Sequence, residues 1–189
     1  MPWGVSFQST VTAFLAIGRS ESLNIAAQTI AAAYHSDALL VSPALILGST
    51  PLSLPGPSGI QAGLEASFTL AQELKAGPVL SQIWLPAASS IITYWTAAQF
   101  NPLIPAPGGL LGTTSSVLFP GDSNSLAEGL ASAFRAGQPA LTQADGASLV
   151  AAALNAAFVS HLATVSGLWV GTAPGAPPIP YTFPWAGLI

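Results

Sequence analysis

The chain has 189 residues, which is enough for one domain with a sizeable core, and 51% of them are hydrophobic. Only 5% are charged, against about 25% in a typical soluble domain, and the net charge is −4. The scattered cations Arg19, Lys75 and Arg135 argue against nucleic-acid binding, which needs clustered Lys and Arg. The hydrophobicity argues against disorder, and the absence of cysteine excludes disulfides and thiolate metal sites.

Apolar periodicity predicts a mainly α fold with about five helices. The helices are predicted over 22–40, 58–76, 81–100, 123–137 and 142–167. Loops rich in proline and glycine separate them at 43–57 and 101–122, because proline cannot continue a helix. Capping-box patterns, Ser58-x-x-Gln61 and Ser125-x-x-Glu128, mark the expected starts of the second and fourth helices.

An internal repeat of about sixty residues is the second expectation, with units over about 22–80 and 81–141. Each unit is a helix, a Pro/Gly loop and a helix, and 142–167 opens a third unit. The matched positions are Tyr34 with Trp95, and Ile60, Leu64 and Phe68 with Leu126, Leu130 and Phe134. We therefore predict a single helical domain over 1–170, followed by an extended Pro-rich arm over 171–189.

The last predicted helix carries two different apolar stripes. The large residues are Val150, Leu154, Phe158, Leu162, Val165 and Trp169, and the small ones are Ala152, Ala156, Ala163 and Ser166. A surface helix normally has one apolar stripe and one charged face, but this helix has no charge after Asp145. Either its own chain buries it completely, or its small face receives a neighbouring subunit.

The arm over 171–189 cannot be helical because of its five prolines, and polyproline-like extension is expected. Disordered tails are poor in aromatic residues, so the aromatic side chains here predict docking, either on the same domain or on another subunit. Trp3 also lies in a terminal segment, where aromatic anchors suit interfaces. The candidate interface residues are Trp3, Phe7, Tyr181, Phe183, Trp185, Leu188, Ala152, Ala156 and Ala163.

Catalytic motifs are missing from the sequence. His35 and His161 lie on separate predicted helices without metal-binding spacing, and no nucleophile elbow or phosphate loop occurs. Asp122 is interpreted as a helix cap. We therefore expect no enzyme activity, catalytic residue, metal, cofactor or small-molecule substrate. An enzyme would require His35 or His161 to converge with a carboxylate in a pocket.

No Asp, Glu, Lys or Arg occurs in 76–121 or in 146–189. Such long uncharged stretches raise the alternative of a membrane-associated or pore-forming helical protein. Polar residues and prolines interrupt each of these stretches, and no basic flank sets an orientation. A small domain with so little charge is better tolerated when neighbouring subunits cover its surface. The leading interpretation is a non-enzymatic structural subunit of a large symmetric assembly.

The segments 91–98 and 101–108, with smaller contributions from 3–7 and 183–187, resemble virion structural proteins of tailed bacteriophages. This resemblance implies a tail, baseplate or neck component that is present in several symmetric copies and located in the virion, with capsid decoration as an open alternative. Its implied partners are other copies of itself and other virion structural proteins, without direct nucleic-acid contact. A membrane location belongs only to the alternative.

Overall fold

The computed structural model describes residues 3–17, 22–43, 51–74, 80–100, 111–112, 115–138, 140, 142–173 and 179–189. These ranges contain six α-helices, and a 3₁₀ turn, Ser81–Trp84, leads into the fourth. The helices are α1 (Val5–Ala16), α2 (Leu23–Ala38), α3 (Ser58–Glu73), α4 (Leu85–Thr96), α5 (Ser123–Ala136) and α6 (Gln143–Thr164). The strands are β1 (Pro51–Ser53), β2 (Gln99–Phe100), β3 (Leu111–Gly112), β4 (Ser115–Phe119), β5 (Ser166–Ala173) and β6 (Ile179–Ala186).

The strands form one antiparallel sheet in the order β1-β2-β4-β5-β3, with β6 on the other edge of β5. β5 is the central strand: β6 pairs along its whole length, β4 pairs with its first half and β3 with its second half. Each helix packs mainly against its neighbours in the chain, and α6 closes the ring by contacting both α5 and α1. The central strand β5 follows directly from the C-terminal end of α6.

The mainly helical fold class is confirmed, and five of the six helices lie where the periodicity placed them. The sixth, α1, was not predicted. The predicted helix over 81–100 is too long, because Pro86 is accommodated only in the first turn of α4 and the chain becomes strand β2 at Gln99. The predicted helix over 142–167 likewise ends at Thr164, where Val165 adopts an extended conformation, so Trp169 lies on β5.

Two other expectations are corrected by the sheet. The predicted loop over 101–122 contains β3 and β4, and β4 alternates between buried and exposed residues, as half-buried strands do. The arm over 171–189 is not a separate extension, because most of it forms β6 and pairs with β5 of the same chain. Its prolines Pro180 and Pro184 are tolerated because β6 is an edge strand.

The helix starts also differ from the capping boxes. α3 begins after Pro57 without a side-chain cap, so Ser58 does not cap it. α5 begins two residues before Ser125, and the Asp122 carboxylate accepts hydrogen bonds from the backbone N–H groups of Asn124 and Ser125. The predicted capping role of Asp122 is therefore confirmed. The prediction that Ser125 begins the helix with a capping box is wrong.

An aromatic cluster centred on Tyr34 joins three helices, α2, α4 and α6, to the N-terminal turn. The Tyr34 ring makes edge-to-face contacts with Trp3, Tyr94 and Phe158, at centroid distances of 5.0, 6.0 and 4.8 Å. The Trp95 indole Nε1 donates a hydrogen bond of 2.7 Å to the Tyr34 hydroxyl. Burial raises the pKa of Tyr34 far above its usual value, so the hydroxyl stays neutral. This contact ties α2 to α4 inside the core.

A buried carboxylate fixes the start of α1. Asp37 of α2 accepts hydrogen bonds from the backbone N–H groups of Gly4 and Phe7, at 2.8 and 3.0 Å. Gly4, the N-cap residue, has a φ of 99°, a conformation that L side chains rarely adopt. A negative charge at a helix N-terminus satisfies its free N–H groups and interacts favourably with the helix dipole. Asp37 therefore holds α1 against α2.

We predict that Asp37→Ala lowers the free energy of unfolding by about 2 kcal/mol, because two buried N–H groups lose a charged acceptor. Asp122→Ala, which removes a solvent-exposed cap from α5, is the matched control and should cost less. Urea denaturation followed by far-UV circular dichroism measures both. Equal losses in the two variants would contradict the role assigned to the buried carboxylate.

Candidate interaction surface

The predicted interface residues of the N-terminal segment are buried in their own chain. The Phe7 ring has no exposed surface and contacts Phe158 of α6 edge to face, at 5.2 Å between centroids. Trp3 is 9% exposed and packs on Tyr34, but its Nε1 has no hydrogen-bond partner in the described part of the chain. Phe7 is thus a core residue here, whereas Trp3 lies at the edge of the core.

The predicted interface residues of the arm also lie against the same chain. Trp185 is buried, contacts Phe100 edge to face, and donates a hydrogen bond of 2.6 Å from Nε1 to the Ser115 hydroxyl. Leu188 is buried and Phe183 is half-buried. The side chain of Tyr181 lies outside the described residues. Of the two docking possibilities left open by the sequence, this structure has the arm on its own domain.

The small residues of α6 lie on the face opposite the core. The inward face carries the large stripe, and Val150, Leu154, Phe158 and Leu162 are all buried. Ala156 and Ala163 are exposed and Ala152 is half-buried. Leu149 and Val159, each 46% exposed, lie on the same side. We call Leu149, Ala152, Ala156, Val159 and Ala163 the outer face of α6.

The spacing along the outer face alternates between three and four residues. This is the a/d repeat of helices that pack lengthwise against another helix. Asp145, in the first turn, is the only charged residue of α6. From Leu149 to Ala163 the outer face is therefore an uncharged and mostly exposed apolar strip, and Asp145 lies one turn before it on the same side of the helix.

A groove of about 480 Å³ adjoins the outer face, and the two share Val159. The backbone of Ser42 exchanges two hydrogen bonds of 2.9 Å with Ile189, and Leu188 N–H donates to the Leu162 carbonyl. These bonds hold the C-terminal residues beside the ends of α2 and α6. We call this feature the terminal groove, and it is lined by Trp3, Leu40, Ser42, Val159, Leu162, Leu188 and Ile189.

A second pocket, of about 230 Å³, brings His161 and Asp122 together between α5 and α6. His161 is 5% exposed and its Nε2 has no hydrogen-bond partner among the described residues. Gly121, with a φ of 97°, lies against the imidazole, where a larger residue would collide with the ring. This is the convergence of a histidine with a carboxylate that the sequence analysis required of an enzyme.

The chemistry of this pocket is limited by its own hydrogen bonds. The Asp122 oxygens already accept from the Asn124 and Ser125 N–H groups and from the Ser125 hydroxyl, and these bonds lower the pKa of Asp122. Burial lowers the pKa of His161 to about 4, against the opposing effect of Asp122. The imidazole is therefore neutral and weakly basic at pH 7. The pair fits helix capping and packing better than acid–base catalysis.

The other histidine, His35, contacts a tyrosine. His35 Nδ1 shares a hydrogen bond of 2.8 Å with the Tyr94 hydroxyl. Within the described ranges, no group of three or more His, Asp or Glu side chains could hold a metal ion. One described helix, α6, is long and apolar enough to cross a membrane by length and composition. Core helices of other proteins meet the same criterion.

Sequence reasoning identified the small residues of α6 but missed the larger ones beside them. The three-and-four spacing from Leu149 to Ala163 can be seen in the sequence and would have identified the whole outer face. The terminal groove has no such signal in the sequence, because the residues that line it come from both ends of the chain and from α2 and α6. The His161 pocket also depends on residues from two helices.

Compared with known proteins, the chain matches no family model, no curated protein and no solved structure. Whether the nine candidate residues form an interface stays a prediction.

We predict that Trp185→Ala lowers the free energy of unfolding by about 3–5 kcal/mol, because it empties a buried site between the sheet and the helices. Thr182→Ala, an exposed change on the same strand, is the control and should stay within about 0.5 kcal/mol. Urea denaturation measures both variants. If Trp185→Ala kept full stability but disrupted oligomers, the arm would dock on another copy.

The stability of the fold should fall as the pH drops from about 6.5 to about 4. His161 has a pKa of about 4 when folded and about 6.5 when unfolded, so in this window only the unfolded state gains the proton. The loss is at most about 1.4 kcal/mol per pH unit, and the full contribution is present above pH 6.5.

Urea denaturation of the natural chain and of His161→Gln at pH 7 and pH 5 measures this contribution. The variant should lose less stability between the two values. Asp122 does not confound the comparison, because its lowered pKa places its titration below the window. Equal losses in the two proteins would contradict a buried neutral histidine.

Proposed function

We propose that the chain is a non-enzymatic structural subunit of a large symmetric assembly, present in several copies. The observation that carries the proposal is a surface that exposes large apolar side chains and very little charge. The exposed large apolar residues are Ile17, Ile25, Leu39, Leu40, Leu52, Leu74, Leu80, Leu118, Phe119, Leu149, Val159, Val170 and Ile189.

Single exposed apolar residues are ordinary, but contiguous apolar patches mark interaction sites. The outer face of α6 and the terminal groove are contiguous, because Val159 belongs to both. Permanent interfaces are depleted in Lys, Glu and Asp, as this chain is throughout. A subunit whose surface is mostly covered by neighbours does not need charge for solubility.

The more specific proposal, a tail, baseplate or neck component of a tailed bacteriophage virion, rests on the sequence resemblance. Of the resembling residues, Ile91, Tyr94 and Trp95 are buried in α4, where they form part of the core. Residues 101–108 lie outside the described residues. The partners under this proposal are other copies of the chain and other virion structural proteins, in the virion.

The alternative is a membrane-associated or pore-forming protein, and the apolar composition of α6 favours it. Against it, the inward face of α6 is already buried by α1 and α5, so the helix would have to leave the core to cross a membrane. Membrane-surface helices are also rich in Lys and Arg, which α6 lacks. We therefore favour the protein assembly.

We also propose that the helical part arose by duplication. Positions matched in the two sequence units meet in space: Tyr34 receives a hydrogen bond from Trp95, and Phe68 contacts Phe134 at 5.9 Å. Contacts between equivalent residues are what a pseudo-two-fold pair of units would produce at its axis. The loops of the two units differ, since the first carries β1 and the second carries β3 and β4.

We predict that the natural chain forms oligomers in solution and that their population rises with protein concentration. Sedimentation velocity over a wide concentration range measures this. A clean monomer at the highest concentration would contradict the assembly function.

In its native setting, the chain should remain with particles after detergent extraction, at fixed stoichiometry, as quantitative mass spectrometry would measure. Partition of the chain into the detergent phase would instead support the membrane alternative.

A further inference from the structure

We propose that the outer face of α6 binds the same face of a second copy, with the two helices antiparallel about a two-fold axis between Ala152 and Ala156. The proposal rests on the assembly function above and names its first contact. A two-fold contact must be self-complementary, because each residue i that meets j requires j to meet i. The outer face meets this requirement in charge and in shape.

Charge permits the pairing. Asp145 is the only charged residue of α6 and lies one turn before Leu149 on the same side of the helix, where the antiparallel pairing sets it opposite Ala163 of the second copy and about 27 Å along the helix from the other Asp145. Two copies can therefore meet along the helix without bringing like charges together, which would otherwise be destabilising. The exposed residues beside the outer face, Ser148, Ser160 and Thr164, are neutral and polar and can remain hydrated at the rim.

Shape sets the register. Small residues at the centre, Ala152 and Ala156, allow the two helix backbones to approach closely. Leu149 and Val159 lie on either side, ten residues apart, which is about 15 Å along a helix. In an antiparallel pair centred between the alanines, Leu149 of each copy faces Val159 of the other. The large residues then pack together at both ends of the contact.

The terminal groove provides a binding site for Leu149 of the second copy. Val159 lines the groove together with Leu40 and Ile189, so a leucine that arrives at Val159 reaches the mouth of the groove. Because the axis is two-fold, the contact occurs twice, with each copy supplying one Leu149 and one groove. Exposed large apolar groups of three separate elements are thus covered by one symmetric contact.

Trp3 provides an independent sign that the groove is incomplete in one chain. Its side chain is nine-tenths buried and lines the groove, yet its Nε1 has no hydrogen-bond partner among the described residues. Buried indole N–H groups usually find an acceptor. The exposed Ser148 hydroxyl next to Leu149 of the second copy would lie near this groove, and a small shift of the Trp3 ring on association would let Nε1 donate to it.

The first test is charge introduced at the centre of the contact. Ala156→Glu should weaken self-association at least about tenfold, because two carboxylates would meet near the axis. The matched control is Ala66→Glu, an exposed alanine on α3, and it should leave association unchanged. Mixing Ala156→Glu with Ala156→Lys chains should restore association. Sedimentation velocity measures all three, and circular dichroism checks that each variant is folded.

The second test uses the absence of natural cysteines in the chain. An oxidised equimolar mixture of Ala152→Cys and Ala156→Cys chains should form a disulfide-linked dimer, because these positions face each other across the antiparallel contact. Ala66→Cys is the collision control. Cross-linking of Ala156→Cys alone, at the level of the mixture, would indicate parallel helices and overturn the proposed arrangement.

The outcomes separate this inference from the proposed function. A natural chain that stays monomeric at every concentration overturns both. A natural chain that assembles, with Ala156→Glu assembling equally well and no cross-link in the mixture, overturns only the α6 contact. Loss of association in Ala156→Glu, rescue by the lysine variant and the mixed disulfide together support it.

Discussion

The hydrogen bond from the Trp95 indole to the Tyr34 hydroxyl is the contact on which the core is organised. Tyr34 has no exposed surface, and its ring also touches residues of the N-terminal turn, α4 and α6. A buried hydroxyl must find a partner, so α2 and α4 can pack in only one register. Trp95 then stacks on Phe100, which contacts Trp185. The aromatic series thus reaches from the first helix to the last strand.

The small number of charged residues also explains the low charge of the surface. Asp37, the one buried carboxylate in the described chain, serves a helix end, and Asp122 serves another. Two of the few carboxylates are therefore used to cap helices, and few charges are left for the exterior. The result is a domain with a well-determined inside and an outside that lacks the charge of a freely diffusing protein. That combination is the basis of the proposed assembly.

The sequence predicted the helices well because their apolar periodicity is local. Tyr34, Leu64 and Leu130 all lie on buried faces that the 3.6-residue period identifies. The sheet was not predicted, because β1, β2 and β3 are two or three residues long and exist only through pairing with distant strands. The arm was identified as extended and docking, but its partner strand could not be known from 171–189 alone.

The candidate interface residues also fall into those that a local pattern identifies and those that depend on tertiary packing. Ala152, Ala156 and Ala163 were identified because their spacing is visible along one helix. Trp185 and Phe7 were assigned to an interface because aromatic residues in terminal segments suit one, yet this chain buries them itself. The terminal groove and the His161 pocket each unite residues from distant parts of the sequence. Such sites follow from tertiary packing, and no local pattern encodes them.

The uncharged outer face of α6 has a consequence for how an assembly built on it would respond to its surroundings. Added salt screens charges, and a contact without charges offers almost nothing to screen. Cooling acts differently, because the hydrophobic contribution weakens as the temperature falls. Such a contact would respond little to the screening of charges by salt and would loosen in the cold, the opposite of a contact that charged pairs hold together.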